Sequence, residues 1–334
     1  MSYMTHAFVF RDDTLLCHQT SDGWWPLQVQ LPQSAPHSED SEHSPTYQVG
    51  RVALLESLAP SHWLSDSLPK NSVESGHKAA ENDGFTSDRF QAHPFDSDIF
   101  TAQSTSAITD AYALAHNIVL PTITDHSGYD FLPYRQLITQ LPIALSTQIS
   151  QAIQLLRWQE DTQFCSRCAT PAVHTKTDER AMVCPVCQLR QYPRVQPCVI
   201  TAITRPNPKT GEMQILLAQH RRHGVQKQPA MYGLIAGFVE VGESLEHAVV
   251  REVAEEVNIS VTNIRYVSSQ PWPFPSNLML GFKATYAEGD IVIQKEELTH
   301  ADFFDISNLP QIPFKGSIAY ELIALVAHEQ GVSL

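Results

Sequence analysis

No stretch of this 334-residue chain approaches the ~20 consecutive apolar residues that a membrane-spanning helix requires. The opening MSYMTHAFVFRDD also lacks the basic segment followed by an apolar one that marks a secretory leader. These two absences lead us to expect a soluble, cytoplasmic, globular protein. Basic residues are scarce: 22 Lys and Arg stand against 36 Asp and Glu, a net charge of −14. That balance disfavours a protein that wraps nucleic acid by neutralising phosphates, a mode that needs a wide cationic surface, although a local basic groove stays compatible with it. Isolated cysteines are few. Of the six, Cys165, Cys168, Cys184 and Cys187 form two tight pairs, and only Cys17 and Cys198 stand alone. In a chain without a leader this clustering points to metal binding before disulfides. No internal repeat is present.

The length suffices for two domains and a small module, with cores large enough to fold without disulfide staples. We divide the chain into an N-terminal α+β domain (1–160), a cysteine module (161–192) and an α/β domain (193–334). In the first, HAFVF and TYQVGRVALL read as β-rich pieces. Trp24 and Trp25 read as a buried or half-buried aromatic pair, with stacking on a base as the alternative. Residues 61–106 shift to Ser, Asp, His, Asn and Pro with few periodic apolar positions, and read as a disordered insertion. ITDAYALAHNIVL then suits a helix leading into a strand, followed by a turn around His126 to Tyr129. A helix is expected from about Ile143 through Trp158, where Ile149, Ile153, Leu155 and Leu156 have helical spacing.

The cysteines follow the pattern C-x2-C-x15-C-x2-C, from Cys165 and Cys168 to Cys184 and Cys187. Two such knuckles can place four thiolates tetrahedrally around zinc, and a site with all four positions filled is structural and not catalytic. The competing reading is a nucleic-acid-binding zinc ribbon, which the mildly basic intervening sequence disfavours. His174 is a spare ligand that four cysteines make unnecessary.

Beyond Pro193, CVITAIT from Cys198, MQILLAQ from Met213 and LIAGFV from Leu234 read as strands. A helix from Ser244 to Val257 follows, then strands near Ile264 to Val267, Leu278 to Tyr286 and Ile291 to Ile293, and a final helix from Ser317 to about His328. Alternation of this kind predicts a mixed sheet sandwiched between helices. His220-Arg221-Arg222-His223, between strands, reads as a solvated loop, with phosphate contact as the alternative.

The stretch GFVEVGESLEHAVVREVAEEVNI, Gly237 to Ile259, carries the chemistry. At 3.6 residues per turn Glu252, Glu255 and Glu256 fall within an arc of roughly 100°, and we place Val250, Val253, Ala254 and Val257 on the far side, facing a core. Like charges on one helical face repel, and two of them sit where the helix dipole disfavours negative charge. Either this is a solvated acidic face, or hard divalent cations such as magnesium or manganese offset the repulsion. Gly237 and Gly242 bracket a loop that must turn sharply. Glu243 precedes the expected N-cap Ser244, and Arg251 lies within reach of Glu243 for a fixing ion pair.

With these residues in place, the stretch resembles the Nudix box, G-x5-E-x7-R-E-U-x-E-E-x-G-U with U apolar, matched by Gly237, Glu243, Arg251, Glu252, Val253, Glu255, Glu256 and Ile259. Asn258 stands where the family has its second glycine. Asn is the next best residue for a left-handed helix end, so the departure touches the cap and not the carboxylates. SQPWPFP, Ser269 to Pro275, which composition alone makes a rigid extended turn, is similar to the signature of the NADH pyrophosphatase subfamily, as is the four-cysteine module directly before the hydrolase domain.

The resemblance implies a Nudix fold preceded by a zinc ribbon. It implies hydrolysis of NADH or NAD to nicotinamide mononucleotide and AMP, or removal of the same group from the 5′ ends of NAD-capped RNA. It implies Glu252, Glu255, Glu256 and, in QKEELTH, Glu297 as ligands of more than one Mg or Mn ion, with Glu256 our choice of base and neighbouring Glu296 an alternative register for Glu297. Phe238 is implied to stack on the nicotinamide side, with Tyr192, Trp272 and Ala319 lining the rest of the pocket and Trp272 offered to the partner subunit of a homodimer. A non-catalytic nucleotide sensor is the reading from another class. Such proteins lose box carboxylates, and none is lost here.

Overall fold

The computed structural model describes residues 4–11, 13–20, 23–32, 51–54, 128–175, 179–221 and 230–334. The expected insertion at 61–106, the helix and strand at ITDAYALAHNIVL, His126 and Ser127 of the expected turn, and Arg222 and His223 all lie outside the described residues. The chain divides into two compact units, Met1–Pro193 and Arg194–Leu334.

The first unit is built on a six-stranded sheet of β1 (Met4–Arg11), β2 (Thr14–Thr20), β3 (Gly23–Pro26), β4 (Gln28–Pro32), β5 (Arg51–Leu54) and β6 (Tyr129–Pro133). β1 and β2 pair antiparallel at its centre and contribute the buried Phe8, Val9, Phe10, Leu15, Leu16 and Cys17. Trp24 and Trp25, on β3, are half-buried, as expected. A short helix α1 (Tyr134–Leu137) leads to α2 (Ile143–Asp161). Leu145, Ile149, Ala152, Ile153 and Trp158 of α2 are buried at helical spacing. Buried Tyr134 donates its hydroxyl to the Ser146 carbonyl, so its one polar atom is satisfied. Directly after α2 comes a small antiparallel sheet of β7 (Val173–His174), β8 (Met182–Val183) and β9 (Arg190–Gln191).

The second unit centres on β10 (Gln196–Pro206), which pairs antiparallel with β11 (Met213–His220) and β12 (Ile235–Phe238), and parallel with β14 (Asn277–Glu288). β13 (Ser260–Trp272) and β15 (Leu298–Asp305) form the edges of the order β13-β14-β10-β11-β15. The near-continuous apolar run of β10 reflects burial on both faces. Val199 and Ile203 point to the cluster holding Ala248, Val249, Val253 and Val257 of α3 (Leu245–Val257), while Ile200 and Ala202 point to the cluster holding Ile318, Leu322, Ile323 and Val326 of α4 (Ile318–Glu329). Each of the buried Val, Leu and Ile side chains contributes about 1.5–3 kcal/mol of burial free energy. The mixed sheet between helices is as expected.

Three expectations are corrected. Ile291 to Ile293 is not a strand. The Val292 N–H bonds the Val257 carbonyl at 3.1 Å and the Gln294 N–H bonds the Glu256 carbonyl at 2.9 Å, so the segment satisfies carbonyls that the end of α3 leaves without intrahelical partners. The unexpected β15 completes the sheet instead. SQPWPFP is only half a turn: its first residues finish β13, and the turn covers 273–276. Finally, Val250 and Ala254 are exposed, and the buried side of α3 is Ala248, Val249, Val253, Glu256 and Val257.

Candidate active site

α3 begins where Ser244 accepts the His247 N–H at 3.2 Å, and ends where Asn258, at φ 57°, takes the left-handed conformation and bonds the Ala254 carbonyl at 3.0 Å. Asn258 therefore does serve as the helix cap. It also donates its side-chain amide to the Asp290 carbonyl at 3.3 Å, a bond that glycine lacks.

The loop between β12 and α3 turns on Gly242, at φ +84°. Arg251 then ties the loop to the helix. Its Nε and Nη2 donate to the two carboxylate oxygens of Glu243, each at 2.9 Å, a bidentate pair. Nη1 bridges Glu252 at 2.8 Å and Glu255 at 3.0 Å, and Nη2 reaches the Phe238 carbonyl at 2.8 Å. One guanidinium thus connects two candidate metal ligands to the backbone of a candidate pocket residue. Hydrogen bonds from Arg251, with one from the Glu240 N–H, hold the Glu243 carboxyl down at about 2.

The carboxylates are not equivalent. Glu255 is exposed, while Glu256 is only 1 % exposed, within the buried arc of α3. Burial pushes the Glu252 carboxyl up, against the pull of Arg251, and the charges of Glu255 and Glu297 add to the push. Glu297 is therefore near enough to act on Glu252, which favours it over Glu296 as the outlying member of the group. Gly237 faces Glu252 so closely that a Cβ there would overlap the carboxylate. The donor set is all oxygen and carries more negative charge than Arg251 balances, which suits a hard divalent cation.

On the other side of the sheet, cross-strand pairs run from Phe238 to Cys198, from Cys198 to Met279 and from Met279 to Gln270. Residues paired in register share a face, so this row lies on the α4 side. Phe238 is 48 % exposed. Trp272, two residues beyond Gln270, packs edge-on against Phe274 at 5.3 Å, and Ala319 is the second residue of α4. The last two residues of β12 consequently look opposite ways, Gly237 to the glutamates and Phe238 to this row. Tyr192 belongs to the first unit, where its hydroxyl donates to Glu179 at 2.7 Å and Arg190 pairs with the same carboxylate. Sequence reasoning gave no partner to Glu179 and quoted Gln270 only within SQPWPFP, because contacts made across the fold leave no local spacing to read.

In the small sheet the thiols of Cys165, Cys168, Cys184 and Cys187 lie within 4.8 Å of one another. Sγ separations are 3.5 Å for Cys165–Cys187 and for Cys168–Cys184, and 3.7 Å for Cys168–Cys187. A tetrahedral zinc with bonds of about 2.3 Å needs sulfurs about 3.8 Å apart, so the four thiolates fit it. The two knuckles match. Ala169 and Gln188, each following its second cysteine or next to it, have φ of 58° and 60° and bond the carbonyls of Cys165 and Cys184. Cys17 and Cys198 stand apart, both buried.

The NUDIX domain matches residues 196–326, and the NADH pyrophosphatase zinc ribbon domain matches residues 160–192. The chain is 46% identical over 195 residues to a protein of Klebsiella pneumoniae (strain 342) described as NAD-capped RNA hydrolase NudC, covering 58% of this chain and 71% of that one. It is 43% identical over 201 residues to the protein of the same description from Salmonella schwarzengrund (strain CVM19633), covering 60% and 74%. A solved NUDIX hydrolase from Nitrosomonas europaea covers 52% of this chain and 95% of its own, at 22% identity and a TM-score of 0.40.

Proposed function

Since the chain belongs to the Nudix hydrolases, in the branch that carries the NADH pyrophosphatase zinc ribbon, we propose that it hydrolyses the pyrophosphate bond of NADH and NAD, giving nicotinamide mononucleotide and AMP. The observation that carries this reading is the Arg251 hub. It holds Glu252 and Glu255 on one side of the β12 end and the Phe238 backbone on the other, so that phosphate chemistry and base recognition meet at one strand terminus.

Glu252, Glu255, Glu256 and Glu297 would hold the divalent ions, magnesium or manganese. When bound, these supply charge neutralisation of the pyrophosphate and acidification of a water. The chain's own residues do the rest. Arg251 and Glu243 fix the loop and the first turns of α3, so the carboxylates keep one arrangement. Glu256, buried on the sheet side of α3, is the group we assign as proton acceptor. Phe238, Trp272 and Ala319 are assigned to an apolar flank suited to a flat, weakly polar ring. Cys165, Cys168, Cys184 and Cys187 would hold one zinc ion, whose role is to fold the ribbon. We assign the molecule as a homodimer.

NAD-capped RNA is the second substrate, favoured by the description of the relatives as NAD-capped RNA hydrolases. The scissile bond is the same. The chain's charge of −14 weakens general affinity for RNA. Competition between NADH and NAD-capped RNA in one reaction ranks the two. A kcat/KM ratio that favours the dinucleotide is expected, and preference for the RNA would reverse the order.

A further inference from the structure

Between β14 and β15, residues 289–297 cross the C-terminal end of α3. The last carbonyls of a helix have no intrahelical partner, and the crossing segment meets two of them. The Val292 N–H donates to the Val257 carbonyl at 3.1 Å and the Gln294 N–H to the Glu256 carbonyl at 2.9 Å. Gln294 then turns the chain, its carbonyl accepting the N–H groups of Glu297 at 3.0 Å and Leu298 at 2.9 Å. The backbones of Glu256 and Glu297 are therefore joined through one residue. From the other side, the Glu297 carbonyl accepts the Arg221 N–H at 2.7 Å. Ile291 and Ile293 seat the segment on the core that holds Val253 and Val257.

A second observation concerns the start of the segment. Gly289 has φ +105°, a conformation that a side chain strains. A Cβ there would stand 2.9 Å from the Asn258 carbonyl oxygen and 3.2 Å from Ile259 Cα. Both are backbone atoms, which cannot swing aside as a side chain can. The Tyr286 hydroxyl donates to the Gly289 carbonyl at 2.7 Å, and the Asn258 amide donates to the Asp290 carbonyl at 3.3 Å. The segment is thus tied down at its start as well as at Gln294. Any other residue at 289 must lift that start off the end of α3, and the bonds of Val292 and Gln294 follow closely in the chain.

We propose that Gly289 is a positioning residue for the divalent-ion site: it lets the crossing segment lie against the end of α3 and so fixes Glu297 relative to Glu256. This rests on the reading of Glu297 as a metal ligand. Gly289 touches no ion itself and acts through the backbone of Val292 and Gln294. A carboxylate carried by a loop keeps one place only when its backbone is held. Here the hold comes from the helix that carries the other carboxylates.

Two measurements on the full-length protein test it, with Gly289→Ala, Glu297→Gln and the double variant. Hydrogen–deuterium exchange of the metal-free protein reads the amides of Val292 and Gln294, and calorimetric titration reads affinity for manganese. Gly289→Ala is expected to speed exchange at both amides and to weaken manganese binding by about tenfold. The double variant should bind manganese no more weakly than Glu297→Gln alone, because both changes remove the same ligand from its place. Tyr286→Phe removes only the hydroxyl bond to Gly289 and should move both readouts the same way by less; the same cycle with it decides should Gly289→Ala not fold. Unchanged exchange, unchanged manganese affinity, or losses that add in the double variant would each overturn the proposal. Unchanged affinity in Glu297→Gln would overturn it too, by removing the ligand. Neither readout uses a substrate, so a wild-type protein that releases no AMP from NADH would sink the functional reading and leave this test standing.

Discussion

The carboxylate of Glu252 occupies the space that a side chain on Gly237 would need. Gly237 has an ordinary φ, so its glycine is required for room and not for backbone freedom; it is Gly242, at φ +84°, that supplies the turn. The two glycines of the loop thus have different physical reasons, and the first is tied directly to the chemistry.

Gly237→Ala should therefore fold but displace Glu252. A displacement of about 1 Å costs on the order of 100-fold in turnover, and affinity for manganese, read by calorimetry, should weaken in parallel. Unchanged turnover and metal affinity would show that Glu252 can move without consequence.

Asn258 is a cap, and its variants should sort by backbone preference. Asn258→Gly should keep turnover and change stability little, because glycine's free access to the left-handed conformation offsets the lost side-chain bond to the Asp290 carbonyl. Asn258→Ala should lose about 1 kcal/mol in chemical denaturation. Loss of turnover in the glycine variant would give Asn258 a role beyond the helix end.

The Glu243–Arg251 pair makes acid stability predictable in sign. Glu243 is held at about 2 in the folded protein against an ordinary 4.5, so its contribution is complete above about 4.5 and disappears as pH falls towards 2. Denaturation of wild type and Glu243→Gln should differ by a constant amount near neutral pH, and the gap should narrow only below about 4.5. A gap independent of pH throughout the acid range would contradict the ion pair as its source.

Cys184→Ser should lose the zinc, and the melting temperature should fall with it, since metal binding by such a site is folding free energy. Metal analysis and a thermal scan read both. Full zinc content in the variant would contradict the four-thiolate site.

The chemistry was readable where it is local. The cysteine spacing and the Gly237 to Ile259 stretch name their own ligands, because helix and knuckle geometry fix side-chain positions over a few residues. The Arg251–Glu243 pair, eight residues apart, was still within that range. What failed was set by distant contacts. Ile291 to Ile293 alternates like a strand, yet its N–H groups are claimed by the end of α3. β15, with Thr299, His300, Asp302 and Asp305 among its eight residues, hides its strand character because as an edge strand it buries only Leu298, Ala301 and Phe303 among polar neighbours. The division of α3 into an acidic face and a core face failed at Glu256, which is buried among the apolar residues. Only the packing of α3 on the sheet decides that.

The most direct test is product analysis of NADH incubated with wild-type protein and with Glu256→Gln, in the presence of manganese or magnesium. The wild type should yield reduced nicotinamide mononucleotide and AMP in equal amounts, and Glu256→Gln should be slower by at least about 100-fold while retaining its fold. No AMP from any pyridine dinucleotide, or near-wild-type turnover by Glu256→Gln, would contradict the account.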